Sequence, residues 1–260
     1  MPEPAELLTE TSGGVRMLTI NRPGSLNALT VDVIDEMTHQ VHDADGSPDV
    51  GVIVITGAGG TAFCVGADRS IVGSVEGRGW REFAALLRGL FEAIRSCGKP
   101  VVAKVDGWCL GGGHELHCFC DLTVASDRST FGQVGPRVGG APLFVTQLLS
   151  RSVGDKRAKE IMFLCERYSA QEALDMGLVN RVATPDALDE AIAAMTSRLL
   201  GMSPTALRLL KRGFAFGQQL MEAHVDLLVE AATPYFGSAE QREAVAAFDE
   251  KRDPDFSPFR

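Results

Sequence analysis

Hydrophobic positions in the first half of this chain fall into two kinds of run. Val15 to Asn21, Gly51 to Thr56, Pro100 to Asp106 and Leu122 to Ala125 are short and rich in β-branched residues. They predict strands, and the unbroken apolar run of Gly51 to Thr56 predicts one buried on both faces. Between them, apolar residues recur at helical spacing. Val33, Ile34, Met37 and Val41 follow Thr30, an N-cap residue, with Asp32 in the first turn, and Gly46-Ser47-Pro48 ends the run. Phe83, Leu86, Leu87, Leu90, Phe91 and Ile94 mark a second helix over Trp80 to Cys97.

From Phe144 onward the pattern is helical. Asp155 to Cys165 is amphipathic, and Ser169 with Glu172 forms a capping box before a helix closed by Gly177. Thr184 and Pro185 open a helix that Gly201 ends. Ser203-Pro204 opens one reaching about Gly217, Leu220 to Ala232 is another, and Ser238 with Gln241 caps the last. Alternating strands and helices followed by helices alone predict an α/β core over residues 1–200 with a helical extension over 201–260. Apolar helix faces beyond a complete core predict packing against other copies of the chain.

Glycine-rich stretches interrupt this pattern where chemistry is expected. Gly111-Gly112-Gly113 follows the strand ending at Asp106 and leads into Leu116 to Cys120, which can continue as a helix. Three glycines cost backbone entropy and pack nothing, so they suit a turn that presents bare N–H groups. The first amides of a helix lack internal partners and sit at its positive end. Such a turn can hold a developing negative charge, and Glu115 stands just inside it as a candidate acid/base. The bland alternative for Glu115 is a helix N-terminal glutamate paired with the dipole. Gly57-Ala58-Gly59-Gly60 follows a buried strand, but it does not complete a dinucleotide-binding pattern and no helix opens at once. In Phe63 to Asp68, Gly66 permits a sharp turn and Ala67 is small enough for a ligand to lie against its N–H. Residues 70–79 predict a mobile loop, and Phe131 to Gly140, with its glycines, predicts a loop that serves a site.

Composition narrows the function. A chain of 260 residues is one large domain or one with a small appendage, and 45% hydrophobic residues is ordinary for a globular core. A net charge of −9 argues against nucleic acid or an anionic membrane as partner. Met1 to Thr11 is acidic without an apolar signal region, and no apolar run approaches the ~18 residues that cross a bilayer. Six cysteines lie in apolar stretches without paired spacing, as buried thiols in a cytoplasmic protein would. His114, Glu115, His117 and Cys118 do not match H-E-x-x-H, whose histidines stand four apart, so helix packing is expected there rather than a metal.

Five local patterns then occur in order: Asn21-Arg22-Pro23 with Leu26-Asn27-Ala28-Leu29; Phe63 to Asp68; Lys99-Pro100 with Asp106-Gly107; Gly111 to Glu115 with Cys120-Asp121; and Ala173 to Val179. Together they resemble the enoyl-CoA hydratase/isomerase (crotonase) family over almost the whole length. The resemblance implies a crotonase-like spiral of ββα units, a C-terminal helical trimerisation region, and a homotrimer or a hexamer made as a dimer of trimers. It implies an acyl-CoA thioester substrate, with coenzyme A as part of that substrate and no separate cofactor. The thioester oxygen would lie between the N–H groups of Ala67 and Gly112, with Gly66 and Gly111 shaping the two turns. The pantetheine and adenine would run along Leu26, Ala28, Ala67, Asp68, Arg69 and Ser70.

Hydratases of this family carry a second glutamate in the loop after Phe131-Gly132-Gln133, where this chain has Val134-Gly135. That loop, Val153 to Cys165, Tyr168 and the tail from Phe248 are similar to two branches of the family, the 1,4-dihydroxy-2-naphthoyl-CoA synthases and the 2-ketocyclohexanecarboxyl-CoA hydrolases. Tyr235 sits where the synthases carry a tyrosine that reaches a neighbouring subunit's site, or it is simply a residue between helices. Arg137 can bind a substrate carboxylate or pair at the surface, and Asp68 can act as an acid or fix its loop. The expected activity is hydration of an enoyl-CoA, or its reverse, with Glu115 as the sole carboxylate. The alternatives are C–C hydrolysis or isomerisation of a cyclic β-ketoacyl-CoA, and a CoA-binding paralogue without turnover.

Overall fold

The computed structural model describes residues 5–72, 76–216 and 219–259, leaving aside the side chains of 216 and 219–224. The chain enters through an antiparallel hairpin, β1 (Leu7–Ser12) and β2 (Val15–Ile20), and α1 (Val31–Gly46) follows. Thr30 caps α1 as expected, its Oγ1 accepting the Val33 N–H at 3.2 Å. Three units of long strand, short strand and helix come next. They are β3 (Val52–Gly57) and β4 (Ala62–Cys64) with α2 (Arg69–Val72) and α3 (Arg78–Ser96); β5 (Val101–Val105) and β6 (Trp108–Leu110) with α4 (Gly112–Phe119); and β7 (Leu122–Ser126) and β8 (Thr130–Gly132) with α5 (Gly135–Val138), α6 (Thr146–Val153) and α7 (Asp155–Leu164). The remainder is β9 (Tyr168–Ser169), α8 (Ala170–Asp175), β10 (Arg181–Ala183), α9 (Leu188–Leu200), α10 (Pro204–Phe216), α11 (Gln219–Ala232) and α12 (Ala239–Asp249).

Long and short strands sort into separate sheets. The long ones, with the three-residue β10 added at one edge, form a sheet of order β1-β2-β3-β5-β7-β10, parallel except for the entering hairpin. The short ones form a second sheet, β4-β6-β8-β9, parallel except for β8 with β9. This is the expected α/β spiral of ββα units. Each passage between sheets is a tight corner. Gly107 turns the corner from β5 to β6 with φ +76, and a Cβ there would stand 2.0 Å from the Thr61 carbonyl oxygen.

The unbroken apolar run of β3 has a direct cause. Ile53 and Ile55 point into the main core with Leu90, Ile94 and Leu116, while Val52 and Val54 pack on the other face against Leu188, Ile192 and Met195 of α9. Alternate side chains of one strand feed two cores, which makes Val52 to Ile55 apolar without a break; Thr56, next along, is buried with its hydroxyl donated to the Lys104 carbonyl at 2.9 Å.

Several elements differ from the sequence expectation. β1 overlaps Met1 to Thr11, a stretch expected only as an acidic N-terminus, and β4 and β8 run into Phe63 to Asp68 and Phe131 to Gly140, expected as turn and loop. Three-residue strands offer too few positions to show a period. α4 starts at Gly112, four residues before the expected Leu116. Of the expected loop 70–79, α2 takes the start and α3 begins at Arg78, while 73–75 lie outside the described residues. Thr184 makes no side-chain cap, because a 3₁₀ turn over Pro185–Ala187 precedes α9. The expected stop at Gly217 also lies outside the described residues. Among the described residues no helix is long and apolar enough to cross a membrane.

Candidate active site

Two sharp turns leave the second sheet side by side, one after β4 and one after β6. Leu29 forms an isolated parallel bridge with Ala67. Leu29 N–H donates to the Gly66 carbonyl at 2.8 Å, and Asp68 N–H donates to the Leu29 carbonyl at 2.7 Å. In such a bridge the two flanking residues face Leu29, so the N–H of Ala67 itself points to the opposite side. On that side lies the start of α4. Gly66 (φ +102) and Gly111 (φ +53) both adopt backbone conformations that favour glycine. A Cβ on Gly66 would stand 2.7 Å from the Gly112 nitrogen, and one on Gly112 would stand 3.6 Å from the Ala67 nitrogen. Among the described residues neither Ala67 N–H nor Gly112 N–H has a backbone acceptor. Two bare amides therefore sit next to each other, one of them at the positive end of a helix.

Both border a cavity of about 140 Å³. Its floor and walls are apolar and aromatic, with Trp80, Phe83 and Leu87 from one face of α3, Phe144 before α6, and Phe236 before α12. Trp80 and Phe236 stack at 3.7 Å between ring centroids. The polar side chains on this wall are Glu115 and Gln133. Glu115 is 5% exposed. Burial raises its carboxyl to about 8, against the opposing pull of the Val145 and Phe144 N–H groups. Its Oε1 is buried with no hydrogen-bond partner among the described residues. A carboxyl in that position gives or takes a proton near neutral pH.

Gln133 was not singled out in the sequence, nor were Trp80 and Phe236 as wall residues. Its Nε2 donates to the Gly111 carbonyl and to His114 Nδ1, both at 3.2 Å, and so braces the glycine turn. Burial lowers His114 to about 4 and His117 well below its ordinary value, so both rings are neutral. His117 Nδ1 lies 3.3 Å from Thr123 Oγ1. His114, His117 and Cys118 bring one possible ligand atom each within 4.8 Å of one another; the Nδ1 atoms of both rings are hydrogen-bonded, while His114 Nε2 has no partner among the described residues. All six cysteines are free; Cys118 and Cys165 are half-buried and the other four buried.

The remaining sequence candidates divide. Gly66, Ala67, Gly111, Gly112, Glu115 and Gly135 line the cavity. Asp68 fixes its loop, accepting from Arg22 Nη1 at 2.8 Å and from the N–H and hydroxyl of Ser70. Burial works to raise its pKa, but the bonds from Arg22 and Ser70 prevail and hold it low. Arg69 pairs with Asp249 and lies over the Phe248 ring. Arg137 is 63% exposed and pairs with Asp253. Leu26 is 40% exposed beside the turn, and Ala28 is buried. Tyr235 does not line the cavity; it packs edge-on against Phe236, which does.

Two sheets wound from ββα units, with paired glycine turns and a buried glutamate at an apolar cavity, place the chain in the crotonase class of α/β proteins. The family model for enoyl-CoA hydratase/isomerase matches residues 10–258, and the chain belongs to that family. Solved structures agree. An enoyl-CoA hydratase from Mycobacterium avium subsp. paratuberculosis K-10 is 30% identical, with 97% of this chain and 99% of that chain covered and a TM-score of 0.83. An enoyl-CoA hydratase/isomerase from Xanthobacter autotrophicus Py2 is also 30% identical, covering 95% and 92%, with a TM-score of 0.81. An enoyl-CoA hydratase from Bacillus anthracis is 29% identical, covering 96% and 98%, with a TM-score of 0.79.

Proposed function

We propose that the protein hydrates an enoyl-CoA, or runs the reverse dehydration, with Glu115 as its one acid/base. The thioester oxygen takes the N–H groups of Ala67 and Gly112, and the acyl chain enters the apolar cavity. Charge gathers on that oxygen as the thioester becomes an enolate, so preorganised amides favour the transition state over bound substrate. Glu115 takes a proton from water as it adds to the β-carbon and delivers one to the α-carbon. Pantetheine follows the turn from Leu26 to Ala28 and the start of α2. The observation that carries this reading is a buried Glu115, its carboxyl raised to about 8, on the same cavity wall as two amides that have no backbone acceptor among the described residues. Adding crotonyl-CoA and longer 2-enoyl-CoA thioesters should bleach the conjugated thioester absorbance. No change across the panel sinks the proposal.

A second reading, double-bond isomerisation, rests on Gly135. A Cβ at Gly135 would stand 2.8 Å from Pro142 Cδ and 3.0 Å from the Gly140 carbonyl oxygen, leaving no room there for a second carboxylate. One carboxylate suffices to carry a proton between the α- and γ-carbons, and this shift needs no held water. A 3-enoyl-CoA would then gain conjugated absorbance, whereas a hydratase alone leaves it unchanged.

We further propose that α10 and α11 meet other copies of the chain in a trimer or a pair of trimers. Leu209 (61% exposed), Leu210, Phe214 and Leu227 leave an apolar face on these helices that a lone chain would expose to water.

A further inference from the structure

The Ala67 amide sits on a bridge of only two hydrogen bonds, and two bonds make a weak support for a group that must hold its aim. Arg22 supplies the rest. Its Nη1 donates to the Ala28 carbonyl at 2.7 Å and to Asp68 Oδ2 at 2.8 Å. Residues 28 and 68 are the chain neighbours of the bridged pair, Leu29 and Ala67. One nitrogen thus spans the bridge from both strands. The rest of Arg22 is held as well. Its Nε donates to Glu6 Oε1 at 2.7 Å, and the other Glu6 oxygen accepts from Thr30 Oγ1 at 2.7 Å. The Arg22 N–H donates to Asn27 Oδ1 at 3.0 Å, and Asn27 Nδ2 donates to the Ala58 and Ala62 carbonyls. On the far side Asp68 Oδ1 accepts from Ser70, setting the start of α2. Arg22 and Asp68 are 16% and 18% exposed, sheltered enough for the pair to hold its geometry.

We infer that Arg22 is a positioning residue: it clamps Leu29 against Ala67 and so fixes the Ala67 N–H beside the Gly112 N–H. The role rests on the oxyanion reading proposed above. Arginine suits it because one planar group reaches three acceptors in fixed directions, which a lysine ammonium does not reproduce.

The test is made on the whole chain with butyryl-CoA labelled with ¹³C at its carbonyl, a saturated thioester that binds without reacting. Isotope-edited infrared difference spectra report how far the bound carbonyl stretch is lowered. Steady-state rates with crotonyl-CoA are measured beside them. In the wild type the stretch falls on binding. Arg22→Met should lose most of that fall and about 10- to 100-fold in kcat, short of the 10²–10³ of deleting an oxyanion donor outright. Because the coenzyme is proposed to run past Ala28 and the start of α2, KM and butyryl-CoA affinity should weaken too, but by less than kcat falls, so the carbonyl stretch and kcat carry the test. Arg22→Lys should recover part of both signals. Asp68→Asn, of the same shape, should show a smaller loss of both, and it decides the matter with Arg22→Lys if Arg22→Met does not fold. A lowered stretch and an intact kcat in these variants overturn the role of Arg22 alone. A wild-type protein that binds butyryl-CoA without lowering the stretch overturns the oxyanion reading, and the clamp with it.

Discussion

Gly66 lies so close to Gly112 that a Cβ on the first would stand 2.7 Å from the backbone nitrogen of the second. The two turns therefore set each other's position. Gly66→Ala must push the Gly112 amide aside while straining φ +102. The expected result is a fall in kcat of at least about 100-fold, the scale of losing one oxyanion donor. Thermal unfolding should show a folded protein. An alanine variant with wild-type turnover would refute the pairing of these amides.

Gly113 makes a sharper test of packing. Its added Cβ would meet the Cys64 carbonyl oxygen at 2.1 Å, a backbone atom that no rotamer change can move aside. Gly113→Ala should cost more than the roughly 1–3 kcal/mol typical of overpacking, read as a lower denaturant midpoint or as loss of soluble protein.

Glu115 ties activity to pH. Hydration needs the carboxylate, so kcat/KM should rise about tenfold per pH unit and level off above about 8. The profile should be the same in both directions, since the equilibrium links them. Stability runs the other way. The folded pKa lies above the unfolded value, so below about 4.5 the group is protonated in both states and costs nothing. Between there and about 8 the unfolded chain releases its proton while the folded one keeps it, and stability declines as pH rises. Glu115→Gln should remove this decline, unfolding at higher denaturant than wild type at pH 9 while losing turnover. A midpoint with identical pH dependence in both proteins would count against the buried titration.

Phe236 closes the cavity by stacking on Trp80. Phe236→Ala removes a buried ring (6% exposed) and should cost about 3–5 kcal/mol on unfolding. It should also raise KM for longer acyl chains more than for crotonyl-CoA, if the acyl chain enters the cavity that Phe236 lines as proposed.

The apolar face of α10 and α11 predicts assembly. Sedimentation should give a mass of three or six chains, and Leu210→Glu with Phe214→Glu, at positions 60% and 77% exposed, should yield monomers. Monomeric wild-type protein at micromolar concentration would sink the assembly.

Much of this was legible in the residues. The strands β2, β3, β5 and β7 stood out as short β-branched runs, and α1, α3 and α8 by helical spacing or caps, because burial on a regular element imposes a pattern on the chain. The glycine turn before Glu115 was legible for a related reason: three glycines without packing value mark a backbone that must come close to something. What only the tertiary structure decided were matters of convergence. Periodicity cannot say that Trp80 faces Phe236 rather than the general core, since both roles need the same apolar residue. That Arg137 meets Asp253 depends on the path of the C-terminal chain and could not be read from the loop itself. The pairing of Arg22 with Asp68 and the crowding of Gly135 by Pro142 join residues far apart or set by loop shape. Local sequence records which backbone conformations a segment tolerates, whereas such contacts arise only when separate turns are brought together by the winding of the two sheets.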